Sequence, residues 1–204
     1  MNASDYSQVM IIDSINIRAA TVNDLPALVE IHKAAYSRSH FTSLLSDSVL
    51  SKYYELFLTN DSEICLAINS KAIVGFAVYG KHVPERIAEF KKSAIRDILM
   101  VAIRHPVIAS RKLLTMITSR LTFKRSLIPA EFLLLSIAVS RPRIGVASRL
   151  LCQLTLVAQQ QGESVVGLYV NADNTNAVNT YFSAGFVIKQ YESGQFYMEK
   201  YFEK

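Results

Sequence analysis

The sequence predicts an α/β domain with a helical pair inserted at about 81–130, and three observations carry that prediction. First, Leu133–Val139 is apolar except at Ser136, as a central strand covered on both faces is. A short turn with Gly145 follows, and then a helical pattern to about Gln161 with Val146, Leu150, Leu154 and Val157 on one side. Second, strand and helix patterns alternate on both sides of this unit, in the order βαα-ββ before the insertion and βαβαββ after it. Third, residues 81–130 hold 11 of the 22 Lys and Arg but three of the 17 acids, so this segment is +8 while the rest is −3. The basic character belongs to one segment, not to the fold.

The elements follow in order. Ile15–Arg18 alternates as a short first strand, and the fourteen residues before it read as loose. Thr21 and Asp24 form a helix-capping pair, with a helix to about Tyr36 whose stripe is Leu25, Leu28, Ile31 and Ala35. A Ser-rich loop with His40 and Phe41 leads to a second helix at about 47–58, carrying Val49, Tyr53, Leu56 and Phe57. Ile64–Ile68 and Ile73–Tyr79 are strands of a hairpin turning at Asn69-Ser70-Lys71. Two helices, 84–104 and 106–123, each open with a proline in the first turn. In the second, Lys112 and Arg120 point away from the apolar face, and Lys124 follows at its end. After the 145–161 helix come a strand at 164–170 and a helix at 174–184 ending at Gly185. A closing hairpin, 186–191 and 196–201, completes the chain.

At 204 residues, half apolar and 19% charged, the chain suits one domain and is not disordered. Met1–Asp13 lacks the apolar core of a secretory signal, and Ile98–Ile103 is too short to span a bilayer. The expectation is a cytoplasmic protein, membrane-peripheral at most. Cys65 and Cys152 read as buried thiols in a reduced compartment. The four histidines show no metal-ligand spacing with them, so no metal is expected. The basic helical pair reads as a solvated face, or as a surface for anionic lipid or a phosphate-bearing substrate. Nucleic acid is not expected, because no aromatics interleave with the basic residues. Small residues at Gly145 and Ala147 leave the first helical turn open to an anion, although an ordinary tight turn reads the same way.

Two separate stretches resemble the GNAT N-acetyltransferase superfamily. Leu135-Ser136-Ile137-Ala138-Val139 with Gly145-Val146-Ala147-Ser148 looks like its acyl-CoA strand and pyrophosphate loop, usually Q/R-x-x-G-x-G/A. Asn174-x-x-Ala177-x-x-x-Tyr181-x-x-x-Gly185-Phe186 is similar to its later helix and strand at all five positions. The resemblance covers roughly 15–80 and 131–201. It implies a mixed central sheet flanked by helices and acetyl transfer from acetyl-CoA to a primary amine of a small molecule. An amino sugar is the sharper expectation, since a nucleotide or lipid phosphate on it would suit the basic insertion.

By the same resemblance, backbone groups of Ile137 and Val139 would hold the pantetheine arm. Arg143, Ile144, Gly145, Ala147 and Ser148 would surround the pyrophosphate. Asn174 would contact the cofactor arm or cap its helix, and Tyr181 would protonate the leaving thiolate, against the plainer reading of a core tyrosine. Glu131 is the candidate base, through water, against the reading of a solvated charge. His40 and Tyr79 are further pocket candidates. The sequence departs from the motif at Pro142, where the family has Gln or Arg, and at Arg143, where it often has Gly; its loop is about two residues shorter, and Arg141 or Arg143 would compensate. The rival reading is a non-catalytic GNAT-like binding or membrane-surface module. A homodimer interface and a lipid-facing helix pair look alike at this level.

Overall fold

A computed structural model describes residues 15–36, 40–60, 62–110, 130–140 and 145–203. The strands are β1 Ile15–Ala19, β2 Ser62–Asn69, β3 Ala72–Gly80, β4 Leu133–Val139, β5 Val165–Asn171, β6 Val187–Glu192 and β7 Gln195–Tyr201. The helices are α1 Leu25–Ala35, α2 Asp47–Glu55, α3 Val83–Ser93, α4 Ile95–Arg104, α5 Val146–Gln160 and α6 Thr175–Ser183. The seven strands form one sheet in the order β1-β2-β3-β4-β5-β7-β6, antiparallel except for the parallel pair β4–β5. Among the described residues, no helix is long and apolar enough to cross a membrane.

Local chemistry explains the element ends. Asp24 sits where the chain enters α1, accepting from the Thr21 amide at 2.8 Å and from both Arg18 terminal nitrogens at 2.7 and 2.8 Å. These partners hold its carboxyl well below the usual carboxylate range. Ser46 accepts from the Val49 amide and opens α2. Ser70 and Lys71, at φ 47° and 72°, turn the β2–β3 hairpin with two successive left-handed residues, whose twist matches the strands.

The helix expected over 84–104 is two helices, broken at Ala94. The Ser93 hydroxyl and the Ala94 amide both donate to the Phe90 carbonyl, at 3.0 and 2.8 Å, and such side-chain competition bends a helix. Residues 106–110 are helical again, and the rest of the expected second helix, with Lys112, Arg120 and Lys124, lies outside the described residues. So do the fourteen amino-terminal residues that the sequence reads as loose. Cys65 is buried as expected, but Cys152 is exposed. The inward stripe of α5 is Val146, Leu150, Leu151, Leu154, Val157 and Ala158, and position 152 falls outside it.

Two apolar layers cover the sheet. On one face, α5 and α6 pack through Leu150, Leu154 and Val178 on Cys65, Ala77, Leu134 and Leu168. On the other, Leu28, Ile31, Tyr54 and Val83 pack on Leu66, Phe76, Val78 and Leu133. A third cluster, Val29, Leu45, Leu50 and Phe90, joins α1–α3 and receives Ile98 and Val101 of α4.

Candidate active site

One irregularity in β4 makes the site. The β3–β4 register pairs Val78 with Ser136 and Tyr79 with Leu134, leaving Leu135 as an extra residue, a β-bulge. A bulge bends its strand and switches the faces of the residues beyond it. Leu134 therefore packs under α5, while Leu135 joins the layer of α1–α3. Beyond the bulge, Ile137 and Val139 return to the α5 side and Ala138 to the other.

The bend also ends pairing with β5. Only Leu133 and Leu134 are in register with β5, opposite Gly167 and Leu168, whereas β5 stays paired to β7 from Val165 to Asn171. The two strands diverge toward the carboxyl end of β4. The Ser140 amide donates to the Val74 carbonyl on β3. Main-chain groups alternate sides along a strand, so those of Ile137 and Val139 face the gap toward β5.

At the open end of the gap stands the start of α5. Gly145 takes φ 91°, a left-handed geometry that costs glycine nothing. Its carbonyl accepts from the Arg149 amide, so the amides of the first turn, among them those of Ala147 and Ser148, precede the helical ladder. Val146 is buried beneath them. Arg143 and Ile144, with Arg141 and Pro142, lie outside the described residues.

Tyr181 comes from α6. It packs on the α5-side core with its ring 5.9 Å from Phe186, edge to face. Burial first, and the neighbouring Tyr36 second, push its phenol up to about 12. Asn174 is the cap of α6: its side-chain oxygen accepts from the Ala177 amide at 3.2 Å. Glu131 is exposed just before β4, at the end where β4 and β5 are still paired. Six residues of chain, at most about 20 Å if fully extended, separate it from Ile137.

Sequence reasoning missed a polar chain on the other side of β4. Tyr36 follows α1 directly, and Ser136 of β4 hydrogen-bonds its hydroxyl. Its ring lies between His32 and His40, at centroid distances of 4.5 and 4.8 Å. His32 Nδ1 is 2.5 Å from the Tyr54 hydroxyl and Nε2 is 2.9 Å from Thr42 Oγ1. Thr42 Oγ1 is in turn 2.8 Å from His40 Nδ1. Burial lowers His32 to about 4, so it is neutral at pH 7, and burial holds Tyr54 protonated. His40, at the exposed end of this chain, was the one member that the sequence suggested.

Tyr79 is elsewhere. It is fully buried and lines a cavity of about 400 Å³ with Glu63, Phe132 and Gln161, at the end of the sheet remote from the gap. A groove of about 300 Å³ lies over the paired end of β4 and β5 and extends to Leu135 and Tyr169, where the gap begins. Val83, Pro84 and Ile87 of α3, Leu133 and Leu135 of β4, and Tyr169 line it, with Lys91. Among the described residues no group of three or more His, Cys, Asp or Glu is placed to hold a metal ion.

No protein-family model and no curated protein sequence matches the chain. Solved structures do. PaiA N-acetyltransferase from Thermoplasma acidophilum, in complex with coenzyme A, superposes with a TM-score of 0.61 at 17% identity, covering 93% of this chain and 99% of that one. YncA from Salmonella typhimurium, a putative acetyltransferase with acetyl-CoA, gives 0.59 at 13% identity over 94% and 95%. Ribosomal-protein-alanine N-acetyltransferase from Brucella melitensis gives 0.58 at 18% identity over 92% and 99%. The mixed seven-stranded sheet, opened between β4 and β5 and flanked by helices on both faces, is the GNAT fold.

Proposed function

We propose that the protein is an acetyl-CoA-dependent N-acetyltransferase acting on a primary amine of a small molecule. The observation that carries this reading is the gap between β4 and β5, with main-chain groups on its edge, an open helix start at one end and a buried phenol beside it. Two structures of this fold hold coenzyme A and acetyl-CoA respectively, which supports acetyl-CoA as the cosubstrate.

In this reading the first-turn amides of α5, with Gly145, Ala147 and Ser148, meet the pyrophosphate, and Arg143 and Ile144, which precede them in sequence, join in surrounding it. The pantetheine arm takes the place of the missing strand partner along Ile137 and Val139. A main-chain amide on this edge, Ile137 or Val139, donates to the thioester oxygen as charge develops there. The neutral amine attacks the acetyl carbon, a C–N bond forms, and the C–S bond breaks. The thiolate takes the proton of Tyr181, whose high pKa keeps that proton in place until charge appears on sulfur. The proton released by the amine goes to His40, which the Thr42–His32–Tyr54 chain orients. Glu131, two residues before Leu133 of the acceptor groove, is the other candidate base, through water. Asn174 serves as the helix cap that positions Tyr181.

The acceptor lies in the groove between α3 and β4. An amino sugar remains the class suggested by the basic insertion, but the lining of Val83, Pro84, Ile87, Leu133 and Leu135 favours an amine that also carries an apolar part. Lys91 then pairs with an acidic group on it.

Calorimetric titration with acetyl-CoA tests the first half of the proposal. Micromolar binding that Gly145→Glu abolishes is the expected result, since the variant places a carboxylate at the anion site and strains a left-handed residue. Acetyl transfer to amine panels, amino sugars and alkyl-bearing amines together, tests the second half. A folded protein that ignores millimolar acetyl-CoA would be a non-catalytic GNAT-like module instead.

A further inference from the structure

Helix α4 is built the wrong way round for a solvated helix. Its Ile98 and Val101 pack on the cluster of Val29, Leu50 and Phe90. A surface helix then carries polar residues on its opposite side. Here the row Ile95, Leu99 and Ile103, four residues apart, occupies that side, with Met100 next to it. All four are exposed, from 49% at Ile95 and Met100 to 74% at Ile103, and none of the ten residues of α4 is buried. Val107, on the helical stretch that follows, is 70% exposed. The other exposed apolar side chains are single ones such as Val22 and Leu156, and a second group, Val187, Ile188 and Tyr191 of the edge strand β6 with Tyr201 of β7, where Lys189 lies over the Tyr201 ring.

Charge selects the occupant. Lys91 and Lys92 close α3, Arg96 lies among the apolar residues, and Arg104 and His105 end α4. These belong to a segment that carries +8 in a chain whose remainder is negative; Asp97 is the one acid on α4, and five of the segment's 11 Lys and Arg fall at 111–125, outside the described residues. A two-fold contact with a second copy would bring this positive segment against itself. An anionic lipid surface takes the apolar row into its acyl boundary and the Lys and Arg into its headgroups.

We infer that α4 is a membrane-docking helix that seats this protein on anionic bilayers, parallel to the surface, without crossing it. The inference is independent of acetyl transfer. It also gives the apolar acceptor groove a setting, because α3, which lines that groove, is separated from α4 by Ala94 alone.

Co-sedimentation of the full chain with phosphatidylcholine–phosphatidylglycerol vesicles, against pure phosphatidylcholine vesicles, tests it. The expected result is binding to the anionic vesicles that weakens with salt and falls at least about tenfold in Leu99→Asp/Ile103→Asp, since each side chain loses its apolar transfer. These side chains project into solvent, so the variant keeps the parent's circular dichroism and melting temperature. Lys92→Gln/Arg96→Gln lowers binding to anionic vesicles and leaves the apolar row intact. Absence of parent binding at low salt overturns the inference. So does a parent dimer that the Asp variant dissociates, with no vesicle binding in either form, because the row would then be an interface between copies.

Discussion

His32 is kept neutral in the interior between Tyr54 and Thr42, and that makes the protein sensitive to acid. Its folded pKa, about 4, lies below the ordinary 6.5. Between those values the unfolded chain binds the proton and the folded chain does not. Stability is therefore full above about pH 6.5 and falls as pH drops toward 4, by about 3 kcal/mol in all. Urea unfolding of the parent and of His32→Gln across that range checks this: the variant's profile is expected to be flatter. Tyr181 has a different role, so Tyr181→Phe is expected to lower kcat about tenfold to a hundredfold while the affinity for acetyl-CoA changes little. Calorimetry beside steady-state rates separates the two, and an unchanged rate of the chemical step would remove Tyr181 as the acid. Single residues with strong local chemistry were legible in advance. Gly145 and Asn174 announce a turn and a cap whatever surrounds them. The Tyr36–His32–Thr42–Tyr54 chain was not legible, because its members belong to α1, α2 and the turn between them, and no periodicity links them.

At the scale of elements, patterning recovered each strand among the described residues and most helix ends to within three residues, and it failed where two preferences compete. Leu133, Leu134 and Leu135 are identical in type, so an alternation that switches phase at Leu135 leaves no trace in the sequence. Ser93 draws the Phe90 carbonyl out of an otherwise continuous helical stripe. Strand β5 shows how tightly the closed end of the gap is built. A Cβ on Gly167 would lie 2.6 Å from the Tyr197 hydroxyl and 3.0 Å from Leu133 Cδ2. That hydroxyl accepts from the Ala130 amide at 2.6 Å and donates to the buried Glu199 carboxylate at 2.7 Å. Gly167→Ala is expected to displace Tyr197, leave these groups poorly paired, and cost about 2 kcal/mol. Chemical denaturation measures that loss, and Gly162→Ala, at a turn where a Cβ meets nothing within 4 Å, compares it with the cost of backbone strain alone.

The whole molecule is two half-sheets, β1–β4 and β5–β7–β6, held by two residue pairs and by the helices beneath them. Amide exchange is the natural probe of that join. Ile137 and Val139 face the gap with no strand opposite, so they are expected to exchange quickly alone and to slow at least about tenfold with saturating acetyl-CoA, while Leu134 is already protected. Equal rates with and without ligand would remove the pantetheine assignment. The single extra residue at Leu135 thus makes the sheet a ladder with rungs left out. A protein so constructed reaches its full architecture only in company, and the energy that would have joined one strand to the next is held in reserve for the molecule that comes between them.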